Sequence, residues 1–283
     1  MTERKKIAIV GVGLIGGSLA LQLHAKKLSS KLIGVELNTD HAKQALKLEL
    51  VDEILPLEEA VCNADVVILA IPVNSIVSIL PQILNLVENQ IVIDMGSTKY
   101  EAVETVKGHP KRGRYVASHP MWGTEYSGPA SAVRDAFEEK AVIICNGTDS
   151  DRDALEWTKL MYRKIGMHLL EMEAKAHDLH AAYVSHISHI TSFALANTVL
   201  EKEQEEQAIF ELASAGFAST VRLAKSNPAM WVPIFLQNRD HVIDVLKAHI
   251  AQLERFRESI EKNDETYLNR LIEDANKIRK IIK

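Results

Sequence analysis

Along the first 172 residues, short runs of Val, Ile and Leu alternate with stretches in which apolar residues recur every three or four positions. The runs 6–10, 32–35, 65–71, 91–94, 115–117, 141–145 and 168–172 lack regular polar alternation, which predicts strands buried on both faces. Residues 17–27, 39–48, 75–86, 97–105 and 151–166 have the helical period. Strand alternating with helix implies right-handed crossovers and an open, mostly parallel sheet. After about Glu173 the strands stop. The pattern is then helical almost throughout, with breaks expected near Ala215-Gly216, at Ser226-Asn227-Pro228 and around Pro233, and an amphipathic helix or helix pair from Asn238 onward. The shift divides the chain into an α/β part, 1–172, and an all-α C-terminal part, 173–283. No Pro/Gly/Ser linker separates them, so the helices are expected to pack directly on the sheet.

Composition narrows the function classes. With 283 residues, 47% apolar and 25% charged, the chain has globular averages and length enough for two domains. Its 33 basic and 38 acidic side chains give a net charge of −5 without a long like-charge block, a poor match for nucleic acid or an anionic membrane. Cys62 and Cys145 stand far apart in segments that read as buried, which argues against a disulfide framework or a Cys-based zinc site and fits a reducing cytoplasm. The basic head 3–6 and the apolar stretch after it imitate a signal peptide. The stretch lacks a small-residue cleavage site, and its four glycines make a poor membrane helix.

Those glycines carry the first chemical signal. Gly11-Val12-Gly13-Leu14-Ile15-Gly16 is a G-x-G-x-x-G pattern between a strand and a helix. Gly11 permits the sharp turn, Gly13 removes the side chain where a pyrophosphate approaches, and Gly16 allows close helix–strand packing. Glu36, 20 residues beyond Gly16, would accept hydrogen bonds from a ribose hydroxyl and repel a 2′-phosphate. The first part is therefore expected to be a Rossmann-type dinucleotide-binding domain that takes NAD through Gly11, Gly13, Leu14, Ile15, Gly16, Glu36 and Pro72. NADP remains open because Asn38 and Thr39 could contact a phosphate.

Further clusters follow. Ser97 comes after a strand and reads either as the N-cap of a helix or as a hydroxyl at the ligand-binding edge of the sheet. His119, followed by Pro120 on an expected loop, reads as a general base or an ordinary surface histidine. Four histidines, His177, His180, His186 and His189, open the helical part. At about 100° per residue the first pair points roughly opposite to the second, which excludes one four-His metal site on one helix. His186 and His189 share their side with Ser185 as a polar patch facing the neighbouring domain, while His177 and His180 have core or capping roles by default. Arg222, among small residues, reads either as a fork for a carboxylate or as a side chain snorkelling over Trp231.

Taken together, GVGLIGGS, GSTK, SHPMWGTE, VSHISHITSFAL and GFASTVRLAKSNPAMW, in this order over essentially the whole chain, resemble the prephenate dehydrogenase family with its arogenate-using members, the oxidative enzymes of tyrosine biosynthesis. The resemblance implies that His119 takes the proton of the substrate ring hydroxyl as hydride leaves for the nicotinamide, and that Ser97 positions both. It further implies that Arg222 holds a substrate carboxylate, that His189 reaches the side-chain end, and that Glu125, Thr124, Ser185 and Trp231 shape or gate the pocket. Ala215 stands where the family often has a second glycine. The expected reaction is NAD-dependent oxidative decarboxylation of prephenate to 4-hydroxyphenylpyruvate, without a metal. A His189 charge that would repel an ammonium speaks against arogenate. The family's homodimer through the helical domain is expected too. A hydroxy-acid dehydrogenase with a catalytic lysine fits less well, since Lys175 and Lys225 lie in no such motif. A silent nucleotide sensor is opposed by the presence of Ser97, His119 and Arg222. The two parts leave no length for a fused chorismate mutase or an appended regulatory domain, so any tyrosine inhibition is expected to be competitive.

Overall fold

A computed structural model describes residues 4–206 and 208–281; the outer ends of the two expected domains, 1–3 and 282–283, lie outside the described residues. Among the described residues, eight strands form one sheet: β1 (Lys5–Val10), β2 (Ser29–Val35), β3 (Glu53–Ile54), β4 (Val66–Leu69), β5 (Ile91–Asp94), β6 (Tyr115–Pro120), β7 (Ala141–Cys145) and β8 (His168–Met172). Their order is β3-β2-β1-β4-β5-β6-β7-β8, and all neighbours are parallel except β6 and β7. The order reverses between β1 and β4, which opens a crevice at the carboxyl ends of these strands.

Successive residues of β1 serve opposite faces, as the pleat requires. Ile7 and Ile9 join a core with Leu19 and Leu23 of α1 (Leu14–Ala25) and with Met161 and Tyr162 of α6 (Arg152–Lys164). Ala8 and Val10 join the other core, against α3 (Leu57–Asn63), α4 (Val73–Leu86) and α5 (Tyr100–Thr105). The apolar stretch that imitates a signal peptide is thus β1 and α1, both in the core. Among the described residues, no helix is long and apolar enough to cross a membrane.

Several expectations need correction. The pair β3–α3 was not anticipated, because two strand residues and seven helical ones are too short to show a period. α1 begins at Leu14 rather than Gly17, so Leu14 and Ile15 lie in its first turn. β8 is not buried on both faces; it is the sheet edge, with His168, Glu171 and Leu170 exposed. Cys62 is exposed while Cys145 is buried, and both are free thiols.

The helical part starts directly after β8 with α7 (Ala174–Ala181), passes through a π turn (Ala182–His186) and continues as α8 (Ile187–Glu205). Then come α9 (Ala215–Thr220), α10 (Pro228–Gln237), α11 (Arg239–Glu261) and α12 (Glu265–Asn276). α10 begins where expected, with Asn227 accepting from the Ala229 amide, but it runs through Pro233. Buried Trp231 and Ile234, packed with Phe235, hold it through the hydrogen bond that the proline removes. α11 and α12 form the expected pair.

Candidate active site

The glycine fingerprint has the geometry its spacing implies. Gly11 has φ +90°, and a Cβ there would lie 2.6 Å from the Ala70 carbonyl oxygen. A Cβ at Gly16 would meet the Gly11 carbonyl and stand 2.9 Å from Ile9 Cγ2. Gly13 has open space within 4 Å. It is also the N-cap of α1, where no side chain bonds the first amides and no acid occupies the first turn. Open space beside free helix N-terminal amides is what a pyrophosphate needs, so these residues fit a dinucleotide. Glu36 receives the Val12 amide on Oε2 at 3.3 Å and the Asn38 amide on Oε1 at 3.0 Å. A cleft of about 420 Å³ is lined by Gly11, Gly13, Leu14, Ile15, Glu36, Pro72, Ser97 and Glu125 among the expected residues. Sequence reasoning missed its other walls, notably His41, Tyr126, Asn227 and Met230. His119, Thr124, Ser185, His189, Arg222 and Trp231 do not line it.

Ser97 is not a helix cap. α5 starts at Tyr100, and its first amides are capped from the helical domain: Asp178 Oδ1 accepts from Lys99 N at 2.8 Å and Oδ2 from Tyr100 N at 2.9 Å. Ser97, half-buried in the turn before them, faces the cleft. Behind it lie Asp94 and Lys99, both fully buried and ion-paired. The Lys99 ammonium also donates to the Ser118 carbonyl at 2.8 Å, and the Ser118 amide donates to Asp94 Oδ1 at 3.0 Å. Burial raises the Asp94 carboxyl above its usual range, while Lys99 and the Ser118 amide stabilise its charge. This buried knot ties the Ser97 turn to the strand that carries His119.

His119 lies inside β6, not on a loop, and is only 9% exposed, so it is no ordinary surface histidine. Burial, with His177, Lys99 and His186 nearby, holds its imidazolium well below the usual histidine range. Its Nδ1 is 2.9 Å from His177 Nε2. His177 and Asp178 are the functional side chains that sequence reasoning missed; the adjacent His-Asp pair was their signal.

Ideal helical geometry also misplaced the histidine pairs. A π turn advances each residue through a smaller angle than an α turn, so His177 and His186 both face inward while His180 is exposed. His177 is the one that reaches the sheet domain. His186 instead meets Trp231 and Phe235 edge-on, and Asn238 Nδ2 lies 3.1 Å from its Nδ1. Burial lowers His186 to about 4. His189 stacks on Trp231 with ring centroids 3.4 Å apart, and its Nδ1–H donates to the Ser185 carbonyl at 3.1 Å. Burial lowers its imidazolium as well. A neutral His189 bonded in this way presents the Nε2 lone pair, an acceptor, so the argument from its positive charge against an ammonium falls. Among the described residues, no group of three or more His, Cys, Asp or Glu could hold a metal ion.

Arg222 reaches across the domains to Glu125, Nη1 to Oε2 at 2.9 Å, rather than lying over Trp231. Glu125 lines the cleft, so the guanidinium stands at its rim. Its own backbone amide and Arg222 hold the Glu125 carboxyl below the usual range. The Thr124 hydroxyl accepts the Tyr126 amide at 3.3 Å and shapes the same loop. The site therefore joins a dinucleotide crevice, a strand-end hydroxyl, a buried neutral imidazole and a guanidinium, with each domain supplying part.

Two family models match the chain. One is described as prephenate dehydrogenase, nucleotide-binding domain, over residues 19–171, and the other as prephenate dehydrogenase, dimerization domain, over residues 173–274. The chain is 31% identical to a prephenate dehydrogenase of Bacillus subtilis over 277 residues, covering 96% of this chain and 75% of that one. It is 29% identical to a cyclohexadienyl dehydrogenase of Zymomonas mobilis over 286 residues, covering 100% and 98%. A crystal structure of prephenate dehydrogenase from A. aeolicus, in complex with hydroxyphenyl propionate and NAD+, superimposes with a TM-score of 0.85 at 29% identity, covering 99% of each chain.

Proposed function

The chain belongs to the prephenate dehydrogenase family, and from that membership we propose that it catalyses the NAD-dependent oxidative decarboxylation of prephenate to 4-hydroxyphenylpyruvate. The observation that carries the reading is a buried, neutral His119 tied through Lys99 and Asp94 to the turn where Ser97 faces a dinucleotide-fitting cleft.

NAD would be held by Gly11, Gly13, Leu14, Ile15 and Gly16 around the α1 N-terminus, with Glu36 to accept from a ribose hydroxyl and Pro72 lining the same cleft. When bound, its nicotinamide supplies a hydride acceptor. The protein's part is to orient the substrate and manage one proton. His119 accepts the ring-hydroxyl proton, and Ser97 holds that hydroxyl against it. Arg222 binds a substrate carboxylate, for which Glu125 is the resident stand-in. His189, stacked on Trp231, meets the side-chain end, and Thr124 and Ser185 shape the walls. Oxidation of the ring carbinol makes a ketone vinylogous to the departing carboxylate; carbon dioxide leaves and the ring becomes aromatic, which makes the step irreversible.

Arogenate is a second reading, favoured by one observation: the His189 Nε2 lone pair can accept from an ammonium but cannot donate to a keto oxygen. We also propose the division into a cofactor domain, 1–172, and a substrate and dimerisation domain, 173–283, with homodimers formed through the latter. Exposed Leu200, Ile250, Leu253, Ile260 and Ile272 on α8, α11 and α12 support a buried helical interface. Two free thiols support a reducing cytoplasm. Incubation with prephenate and NAD is expected to yield 4-hydroxyphenylpyruvate, carbon dioxide and reduced cofactor in equal amounts. Recovery of unchanged prephenate with both NAD and NADP would reject the reading.

A further inference from the structure

Behind the proposed base, three buried side chains form a line from one domain to the other: His119 on β6, then His177 and Asp178 on α7. His119 Nδ1 is 2.9 Å from His177 Nε2, and His177 Nδ1 is 2.7 Å from Asp178 Oδ1. Either imidazole can in principle carry its proton on either nitrogen. The direction of the line is decided at its acidic end. Both Asp178 oxygens accept backbone amides, Lys99 N on Oδ1 and Tyr100 N on Oδ2, so the contact with His177 places a proton on His177 Nδ1. With that one proton, His177 turns its Nε2 lone pair toward His119, whose Nδ1 then donates. The remaining lone pair of His119 is left at Nε2, on the side of the ring away from His177.

We propose that His177 and Asp178 are positioning residues that hold His119 in the tautomer with a free Nε2, and that Asp178, by capping α5, fixes the Ser97 turn in the same act. The inference rests on His119 acting as the base assigned above. Groups facing His119 are Lys99, with its partner Asp94, from the β5–α5 segment, His177 and Asp178 from α7, and His186 from the π turn. Burial and the Lys99 ammonium oppose a positive charge on His119. When Nε2 takes up a proton, the Nδ1–H still finds its acceptor in His177, and the Asp178 carboxylate behind that ring offsets the new charge. A second element supports the arrangement: Asn238, at the end of α10, donates to the Asp178 carbonyl at 2.6 Å and fixes the α7 backbone where the pair projects.

Two measurements test this. The first is NMR of isotope-labelled imidazole nitrogens in the full-length protein without substrate, with His119 assigned by its loss in His119→Asn. The expected result is a protonated Nδ1 and a bare Nε2; the reverse tautomer would overturn the proposal. Since no turnover is involved, this outcome is separate from whether prephenate is the substrate. The second compares His177→Gln, whose amide oxygen can still accept from His119, with His177→Leu, which cannot. Gln is expected to retain kcat within about tenfold and Leu to lose about 10²–10³-fold, with little change in KM for either. Equal kcat in the two variants would overturn it. Should the Leu variant fail to fold, the tautomer in the wild-type protein decides.

Discussion

As the proposed base, His119 has to be neutral, and its surroundings keep it so. Burial and the nearby Lys99, His177 and His186 all push its imidazolium below the usual range near 6.5. The sign follows directly: the competent form is present above the depressed value and is lost as pH falls through it. Hence kcat/KM is expected to hold its plateau down to pH 6.5, with the acid limb lying below; a half-maximal point above 7 would contradict the assignment. His119→Asn should lower turnover by about 10²–10⁴-fold while NAD affinity, measured by titration, is unchanged. Arg222 makes a different demand. It is half exposed and paired with Glu125 in the free protein, so a substrate carboxylate must take over or share the guanidinium. Arg222→Gln should raise KM for the substrate by about tenfold or more and lower kcat less, whereas an unaltered KM would remove its role.

The segment from β5 into α5 carries most of the site's organisation, and little of it could be read locally. Its strand was legible because Ile91, Val92 and Ile93 are buried on both faces. The helix start was misread, because the cap comes from Asp178, about 80 residues away, and tertiary contacts leave no local signal. The same holds for Lys99, which looks like a surface lysine in the sequence and is fully buried. Lys99→Met would strand the Asp94 carboxylate inside the protein, and a stability loss of about 3–5 kcal/mol is expected from the denaturant midpoint. A loss under about 1 kcal/mol would mean that the pair is not the tie described. In the helical domain, apolar spacing located the long elements, while the π turn in the middle of a continuous helix defeated the angular argument about the histidines. The glycine fingerprint was legible because Gly11 answers a positive φ and Gly16 a close approach to the Gly11 carbonyl, while Gly13 leaves open the space that a ligand needs.

Across the whole molecule, the site exists only because the two domains touch without a linker. Asp178 with the α5 amides, His177 with His119, Arg222 with Glu125, and Thr98 with Gln237 at 2.6 Å all cross that boundary. The two sides of the proposed site are therefore held in register by contacts within the protein itself, which is the condition for orientation to lower a barrier. The apolar positions left exposed on α8, α11 and α12 take no part in these contacts and suit a second copy of the chain. Sedimentation equilibrium should give twice the 31.5 kDa chain mass, and a monomer at micromolar concentration would exclude the dimer. Initial rates for prephenate and arogenate, each with NAD and NADP, read out the proposed chemistry. The highest kcat/KM is predicted for prephenate with NAD, with NADP disfavoured by Glu36; no reduced cofactor in any of the four combinations, or turnover confined to arogenate, would contradict it.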